Sequence, residues 1–529
     1  MEPSKAASGR RFVIATPHVL ATQAGLEAAT AGGTAVDAAL AANAVLTVVY
    51  PHMCTIGGDL FALLAQPDGH ILAINGSGAA AQGVDRGAIL QNGATMPLVG
   101  PLTINVPGTV AAWATLCGLG ARFDLGRALE PAVRHAMDGA LVAPSLARAL
   151  DHHGVELGRY EAVRQVLFRG GRPLREGEKL QQIALAETLE AIAADGPPAF
   201  YGGRVGEKLV AGLRATGSPL ALEDLAAHAT EITEPLRHSF RGWEVLTTPP
   251  NSQGVLLLEI LGALESLTDA LDPLGLDAPL MAEVFRIASL DRDRYLADPR
   301  RRRVPLDALL GQEHLHAIAD MARARIETGE GAPGQAAPLQ GDTIAIVAAD
   351  DRGQAVVLIQ SIFHTFGSRI LELSTGILCQ NRAASFSLDP SVPNCLEGGK
   401  RPAHTLMPVM VRRDGRLTHV SGTMGGTAQP QIQAHLLARM LDLRMAPAEA
   451  VVAPRWVVGG LELGTRRDIV YIEGRAAPLA RSFEAAGMPV GMLKDFDEEV
   501  GHAQVIDIGE GGVLAAASDP RADGAAAAL

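Results

Sequence analysis

The chain has 529 residues, 48% of them hydrophobic and 19% charged, which suits a well-buried core and excludes a disordered chain. Its formal net charge of −13 excludes a generally basic, nucleic-acid-binding surface. The length allows two or three domains or one large α/β unit.

In chain order, residues 1–11 are polar, and the apolar stretch Phe12–Ala15 is too short for the core of a signal peptide. Ala35–Tyr50 reads as an alanine-rich helix after the Gly32–Gly33 turn. Phe61–Ala65 and His70–Ile74 flank Pro67–Gly69, a hairpin pattern. From Val106 to about Ala270 the pattern is mainly helical, with apolar residues at helical spacing in Gly108–Leu116 and Leu185–Ala193. Pro249–Gly254 interrupts it, and Val255–Leu267 resumes as a helix. Arg300–Arg303 reads as a solvated loop. Gly329–Pro338 is a Gly/Pro/Ala linker.

Next, Thr343 heads the apolar run Ile344–Ala349, followed by the turn Asp350–Gly353 and a second run, Ala355–Ile359. This predicts a β-hairpin with a threonine at the start of its first strand. Leu417–Ser421, the glycine pair Gly425–Gly426 and a helix beginning near Gln431 follow. The tail from Ala515 is rich in Ala and Asp and is expected to fray. The four cysteines, Cys54, Cys117, Cys379 and Cys395, show no CxxC spacing, so reduced thiols are expected and no zinc motif is present. No run of about 18 apolar residues is free of breaks. No membrane span is therefore expected, and a cytoplasmic location is.

A threonine hydroxyl is a weak nucleophile without an adjacent base. Cutting the chain before Thr343 would supply one, because the freed α-amine can deprotonate its own side chain. Around this residue stand Phe366–Ser368, Ser374–Arg382, Phe386–Pro390, Gly399–Pro408 and Met424–Gln431. Upstream stand Ala31–Ala39, Ile56–Asp59, Val106–Gly108, Gly196–Gly203 and Asp291–Tyr295. In this order the set resembles the γ-glutamyltransferase family over roughly residues 12 to 515. The resemblance implies an N-terminal-nucleophile hydrolase with an α+β fold, a four-layer αββα sandwich. It also implies one chain that cuts itself between Asp342 and Thr343. The products would be a large subunit, 1–342, and a small subunit, 343–529, held together as a heterodimer that can pair into a heterotetramer.

On the same footing Thr343 is the expected nucleophile, Gly425 and Gly426 the expected oxyanion hole, and Ser361 the residue expected to orient the freed amine. Asn381 would lie near the substrate. Plain structural readings stand beside these: a glycine turn at 425–426, a strand-end serine and a buried amide. The family's clamp for an amino-acid substrate has no match. Ser77 stands where the family has its arginine, Ser385 where it has the acid that binds the ammonium, Arg382 where it has a glutamine, His404–Thr405 where it has a serine pair, and Ile344 where it has a second threonine. Arg382, a planar cation, suits a substrate carboxylate; its structural alternative is an ion pair with Asp389. Val49–Met53 and Ile74–Ala81 look like the branch of the family that contains oxamate amidohydrolase. That branch would bring His52 and Asn75 near the pocket, unless they serve as a capped turn and a strand-end hydrogen bond.

The expected activity is hydrolysis of the amide bond of a small carboxylate-bearing substrate such as oxamate. Alternatives are a γ-glutamyl hydrolase or transferase acting on glutathione-like compounds, a biosynthetic relative that cuts another bond, and a non-catalytic homologue. No cofactor, metal, nucleic-acid or membrane partner is expected.

Overall fold

The computed structural model describes residues 5–328, 342–459 and 468–529. The linker read at Gly329–Pro338 lies outside them. Among the described residues two seven-stranded sheets carry the fold. The first has the strand order Ala525–Ala528, Phe12–Thr16, Asp342–Asp350, Ala355–Phe363, Asp59–Ala65, Ile71–Gly76 and Glu231–Thr233. The second runs Ala6–Gly9, Leu514–Ser518, Ala503–Ile508, Arg416–Thr423, Val409–Arg413, Trp243–Thr247 and Leu236–Phe240.

Alternation along the strands explains the layers. Ala345, Val347 and Ala349 join Val13, Phe61, Val357, Met410, Val420 and Ile506 in a core between the two sheets. The intervening Ile344, Ile346 and Ala348 belong to a second core under helices. Both faces of the central strands are therefore buried, which is why their sequence reads as unbroken apolar runs. Helices Val19–Thr30 and Ala35–Val49 cover the first sheet, and Gly254–Glu265 and Gln429–Leu437 cover the second. This is the αββα sandwich that the resemblance implied.

The helix Ala35–Val49 starts with a capping box. Thr34 Oγ1 accepts from Asp37 N at 3.3 Å, and the Asp37 carboxylate accepts from Thr34 N at 2.7 Å. From the helix interior Asn43 donates to Gln360 Oε1 at 2.7 Å, and Trp113 donates to Asn43 Oδ1 at 2.6 Å. Gln360 in turn donates to Thr55 O at 2.7 Å. A fully satisfied buried amide chain of this kind fixes the strand one residue before Ser361.

One expectation gains detail and one needs correction. The region from Val106 to Ala270 is mainly helical, as read, but it also holds the strands Glu231–Thr233, at the edge of the first sheet, and Leu236–Phe240 and Trp243–Thr247, the last two strands of the second. They alternate polar with apolar on short edge segments, a signal that the flanking helices swamp. The C-terminal tail does not fray. Leu514–Ser518 pairs with Ala503–Ile508, and Ala525–Ala528 pairs with Phe12–Thr16. Leu529 closes the edge, its N–H donating to Phe12 O at 2.9 Å and its carbonyl accepting from Arg11 N at 3.0 Å. Alanine is weak as an intrinsic strand former, and here ladder pairing overrides that preference.

Candidate active site

Thr343 is the second residue of the strand Asp342–Asp350, fully buried, and its Oγ1 has no hydrogen-bond partner among the described residues. The ladder with Ala355–Phe363 is regular from Ala349↔Ala355 to Ile344↔Gln360 and then shifts, so that Asp342 faces Phe363. Ser361 and Ile362 therefore oppose the single residue Thr343. Such a bulge re-aims side chains at the end of a strand. Ser361 Oγ donates to the carbonyl oxygen of Asp342 at 2.5 Å and accepts from Phe363 N at 2.8 Å. The expected contact was with a freed Thr343 amine. With Asp342 and Thr343 joined in one strand, that nitrogen is an amide, and Ser361 holds the carbonyl of the same peptide bond instead. The Asp342 side chain is bonded to Thr365 Oγ1.

Arg382 is completely buried beside this serine. One Nη donates to Thr405 Oγ1 at 3.0 Å and the other to Ser361 Oγ at 3.3 Å. Its guanidinium lies 4.1 Å over the Phe363 ring, a cation–π contact. Phe363 has φ of 81°, a left-handed conformation that costs a non-glycine residue about 1–3 kcal/mol and is held only by its surroundings. No ion pair joins Arg382 to a carboxylate among the described residues. Asp389, its alternative partner, lies on an exposed loop and accepts from Ser391 N and Oγ at 2.9 and 2.8 Å. Burial pulls the Arg382 guanidinium down to about 9, opposed by the charge of Asp59, so it remains a cation at neutral pH.

Asp59, quoted above only as part of a motif, proves central. It pairs with Ser361 across the strands and has no exposed surface. Gly78 N and Gln380 Nε2 each donate to Oδ1 at 3.0 Å, and His404 Nε2 lies 3.1 Å from Oδ2. Leu406 N donates to His404 Nδ1 at 3.3 Å, so the ring's hydrogen is assigned to Nε2 and points at Asp59. Burial, with Arg382 and Arg401 nearby, holds His404 well below its usual range. The contact is thus a hydrogen bond from a neutral imidazole rather than an ion pair. Burial also raises Asp59 to about 6, against the lowering effects of Arg382 and of the Gly78 and Gln380 donors.

The glycine pair joins this network through Gln253, a residue with no motif of its own. Gln253 Nε2 donates to both Thr405 O and Gly426 O at 2.8 Å. Gly425 has φ of 144° and Gly426 of 50°, values that favour glycine. A Cβ on Gly425 would meet Ile432 Cδ1 at 2.4 Å. Neither glycine N–H donates to a protein acceptor among the described residues.

The remaining candidates divide. Asn75 and Ser77 form a closed cluster with Asn251: Ser77 Oγ donates to Asn75 Oδ1 at 2.7 Å, and Asn75 Nδ2 donates to Asn251 Oδ1 at 2.9 Å. Asn251 O accepts from His404 N at 2.7 Å, tying the cluster to the site from behind. Asn381 is spent on structure, donating to Leu98 O at 2.7 Å and accepting from His364 N at 3.0 Å. His52 is buried against Tyr50 and Phe366, and neither ring nitrogen has a hydrogen-bond partner among the described residues. No hydrogen bond ties its ring to Arg382, Ser361 or Thr343.

Buried polar atoms are normally satisfied, so each unsatisfied one calls for an explanation. Thr343 Oγ1, Arg382 Nε, Gln380 Oε1 and Gln253 Oε1 are all such atoms, and all belong to or adjoin this one network. The arrangement offers a hydroxyl and two backbone N–H groups unpaired among the described residues, a nucleophile and oxyanion donors of the kind that acyl transfer uses.

Comparison with known proteins points the same way. The sequence model described as gamma-glutamyltranspeptidase matches residues 21–529, so the likeness extends past residue 515 to the C-terminal strands. The glutathione hydrolase-like YwrD proenzyme of Bacillus subtilis (strain 168) is 35% identical over 532 residues, covering 99% of this chain and all of that protein. The oxamate amidohydrolase proenzyme of Klebsiella pneumoniae is 37% identical over 520 residues, covering 97% of each. Among solved structures, cephalosporin acylase from Bacillus halodurans superposes with a TM-score of 0.89 at 30% identity, over 100% of this chain and 98% of that one.

Proposed function

The chain belongs to the gamma-glutamyltranspeptidase family of N-terminal-nucleophile hydrolases, and we propose that it cuts itself before Thr343 and then hydrolyses a small amide that carries a carboxylate, such as oxamate. Several relatives are proenzymes by name, which agrees with self-processing. In the processing step the Thr343 hydroxyl attacks the Asp342 carbonyl carbon while Ser361 donates to the developing oxyanion. The C–N bond breaks, and an ester links Asp342 to Thr343 Oγ1. Water hydrolyses the ester, leaving an Asp342 carboxylate and a free Thr343 amine.

In turnover the amine takes the proton of Oγ1, which attacks the substrate amide carbon. The oxyanion then meets the Gly425 and Gly426 N–H groups. The amine returns the proton to the departing nitrogen, ammonia leaves, and water releases the acyl group. Arg382 anchors the substrate carboxylate, with Thr405 beside it.

The observation that carries the substrate class is Arg382 itself: a wholly buried cation that makes no ion pair with a carboxylate among the described residues, with only the charge of Asp59 acting on it from nearby, one hydroxyl away from the Asp342 carbonyl. Asp59, the acid beside it, has its oxygens taken up by Gly78, Gln380 and His404. It is thus poorly placed to bind a substrate ammonium, and this disfavours γ-glutamyl compounds. The test is ammonia release from oxamate set against γ-glutamyl-anilide hydrolysis by the processed protein. Glutathione as the best substrate would replace this reading with the γ-glutamyl one.

We further propose that the two fragments remain one unit, because both sheets draw strands from each side of the cut. Pairing of two such units into a heterotetramer is read directly by native mass.

A further inference from the structure

Helices Gly254–Glu265, Ala278–Tyr295 and Gln312–Thr328 pack on one another over the second sheet. Each sends one side chain to their junction. His314 Nε2 lies 2.7 Å from Glu259 Oε1 and 3.1 Å from Asp291 Oδ2, and one ligating atom from each residue falls within 4.8 Å of the others. None of the three takes part in the chemistry above. Asp291 belongs to the Asp291–Tyr295 segment picked out in the sequence, whose role the active site leaves unexplained.

Two features separate this cluster from an ordinary acidic patch. Glu259 has no exposed side-chain surface, yet its Oε2 has no hydrogen-bond partner among the described residues. A carboxylate oxygen removed from water without a donor is costly unless a cation compensates it. Also, the groups that act on the Glu259 charge are Asp291 and His314, with no lysine or arginine among them.

We propose that Glu259, Asp291 and His314 bind a divalent transition-metal ion, with Zn2+ the best match, that clips the three helices together. Two oxygens and an imidazole nitrogen form a mixed set that suits such ions better than Ca2+ or Mg2+. Tetrahedral zinc with bonds of about 2.0–2.2 Å spaces its ligand atoms about 3.3 Å apart. The two His314 spacings of 2.7 and 3.1 Å lie just below that value and all three atoms fall within 4.8 Å of one another, so side-chain adjustment is sufficient. His314 is 31% exposed, which gives the ion an entry path and leaves room for water as a fourth ligand. The site is structural: Glu259 lies on the helix that begins one residue after Gln253, the residue bonded to Thr405 O and Gly426 O.

The experiment uses the full-length purified protein, stripped with a chelator and titrated with Zn2+ by calorimetry and with Co2+ by visible absorption. One equivalent should bind, the melting temperature should rise, and the Co2+ complex should show ligand-field bands that reflect imidazole coordination. Glu259→Gln and, on the more exposed side, His314→Gln should weaken binding by more than about tenfold, since even outer-shell losses have that effect. His314→Gln should also shift the Co2+ bands. If the wild-type protein binds neither ion, or if both variants bind as well as wild type, the cluster is a proton-sharing carboxyl pair and the proposal falls. Should either variant fail to fold, the Co2+ spectrum of the wild type alone decides.

Discussion

Replacing Arg382 by lysine tests the proposed substrate anchor most sharply. The guanidinium reaches two hydroxyls at 3.0 and 3.3 Å from separate nitrogens, and a lysine ammonium on its single stem can keep one of these directions but not both. A bidentate carboxylate clamp reduced to one contact loses about 1.5–3 kcal/mol, the usual worth of a charged hydrogen bond. At ~1.36 kcal/mol per tenfold, kcat/KM on oxamate should fall roughly ten- to a hundredfold. Because the anchor holds ground state and transition state alike, the loss should appear in KM with kcat nearly kept. Initial rates of ammonia release give both constants, and a denaturing gel reports self-cleavage in the same preparation. Were Arg382 only a brace for Ser361 and Thr405, self-cleavage and melting temperature would suffer together with activity. Unchanged kinetics in both Arg382→Lys and Arg382→Ala would refute the carboxylate anchor outright.

Other expectations follow from the same network. Thr343→Ala should remain a single chain on a gel, and N-terminal sequencing of the wild-type small fragment should begin at Thr343; any other start moves the nucleophile. Ser361→Ala removes the donor on the Asp342 carbonyl and should slow self-cleavage by about 10²–10³-fold, the usual cost of one oxyanion donor; cleavage at the wild-type rate would show that this bond does not assist the step. Asp59 has a folded pKa raised to about 6. Protonated Asp59 is therefore the form that favours the fold: its contribution is complete below the ordinary aspartate pKa and is lost as pH rises through about 6. Thermal melts from pH 4 to 7 should show this dependence in the wild type and lose it in Asp59→Asn, and equal slopes in the two would contradict the assignment. Deleting residues 525–529 strips an edge strand from the first sheet and should cost several kcal/mol of stability; an unchanged melting temperature would mean that the strand is ornamental.

The two hairpins and the helix at 35–49 were legible because their local signals agree: turn residues at 67–69 and 350–353, apolar runs between them, and an alanine-rich run after the Gly32–Gly33 turn. The strands at 231–247 were hidden because short edge segments carry little pattern. The alanines at 525–527 were misread because alanine in a strand is identified by its partner and not by itself. At the site, Thr343, Arg382 and the glycine pair were visible as residue types in order. The bulge that sets Ser361 and Ile362 opposite Thr343 was not, since register belongs to pairs of strands. Gln253, Asn251 and Asp59 matter through bonds to residues more than 150 positions away, which no local window contains.

The distribution of strands about the Asp342–Thr343 bond bears on how long the mature protein lasts. Four strands of the first sheet precede that bond and three begin at or after it, and in the second sheet the proportion reverses. While the chain is whole, an unfolded molecule holds all fourteen strands on one tether, and their meeting is a first-order event. A cut there removes the tether, and the effective concentration that it supplied, on the order of millimolar, drops to the dilute concentration of the fragments themselves. Unfolding then becomes a one-way exit, and survival of the mature protein is set by how slowly the interleaved sheets come apart rather than by how readily they re-form.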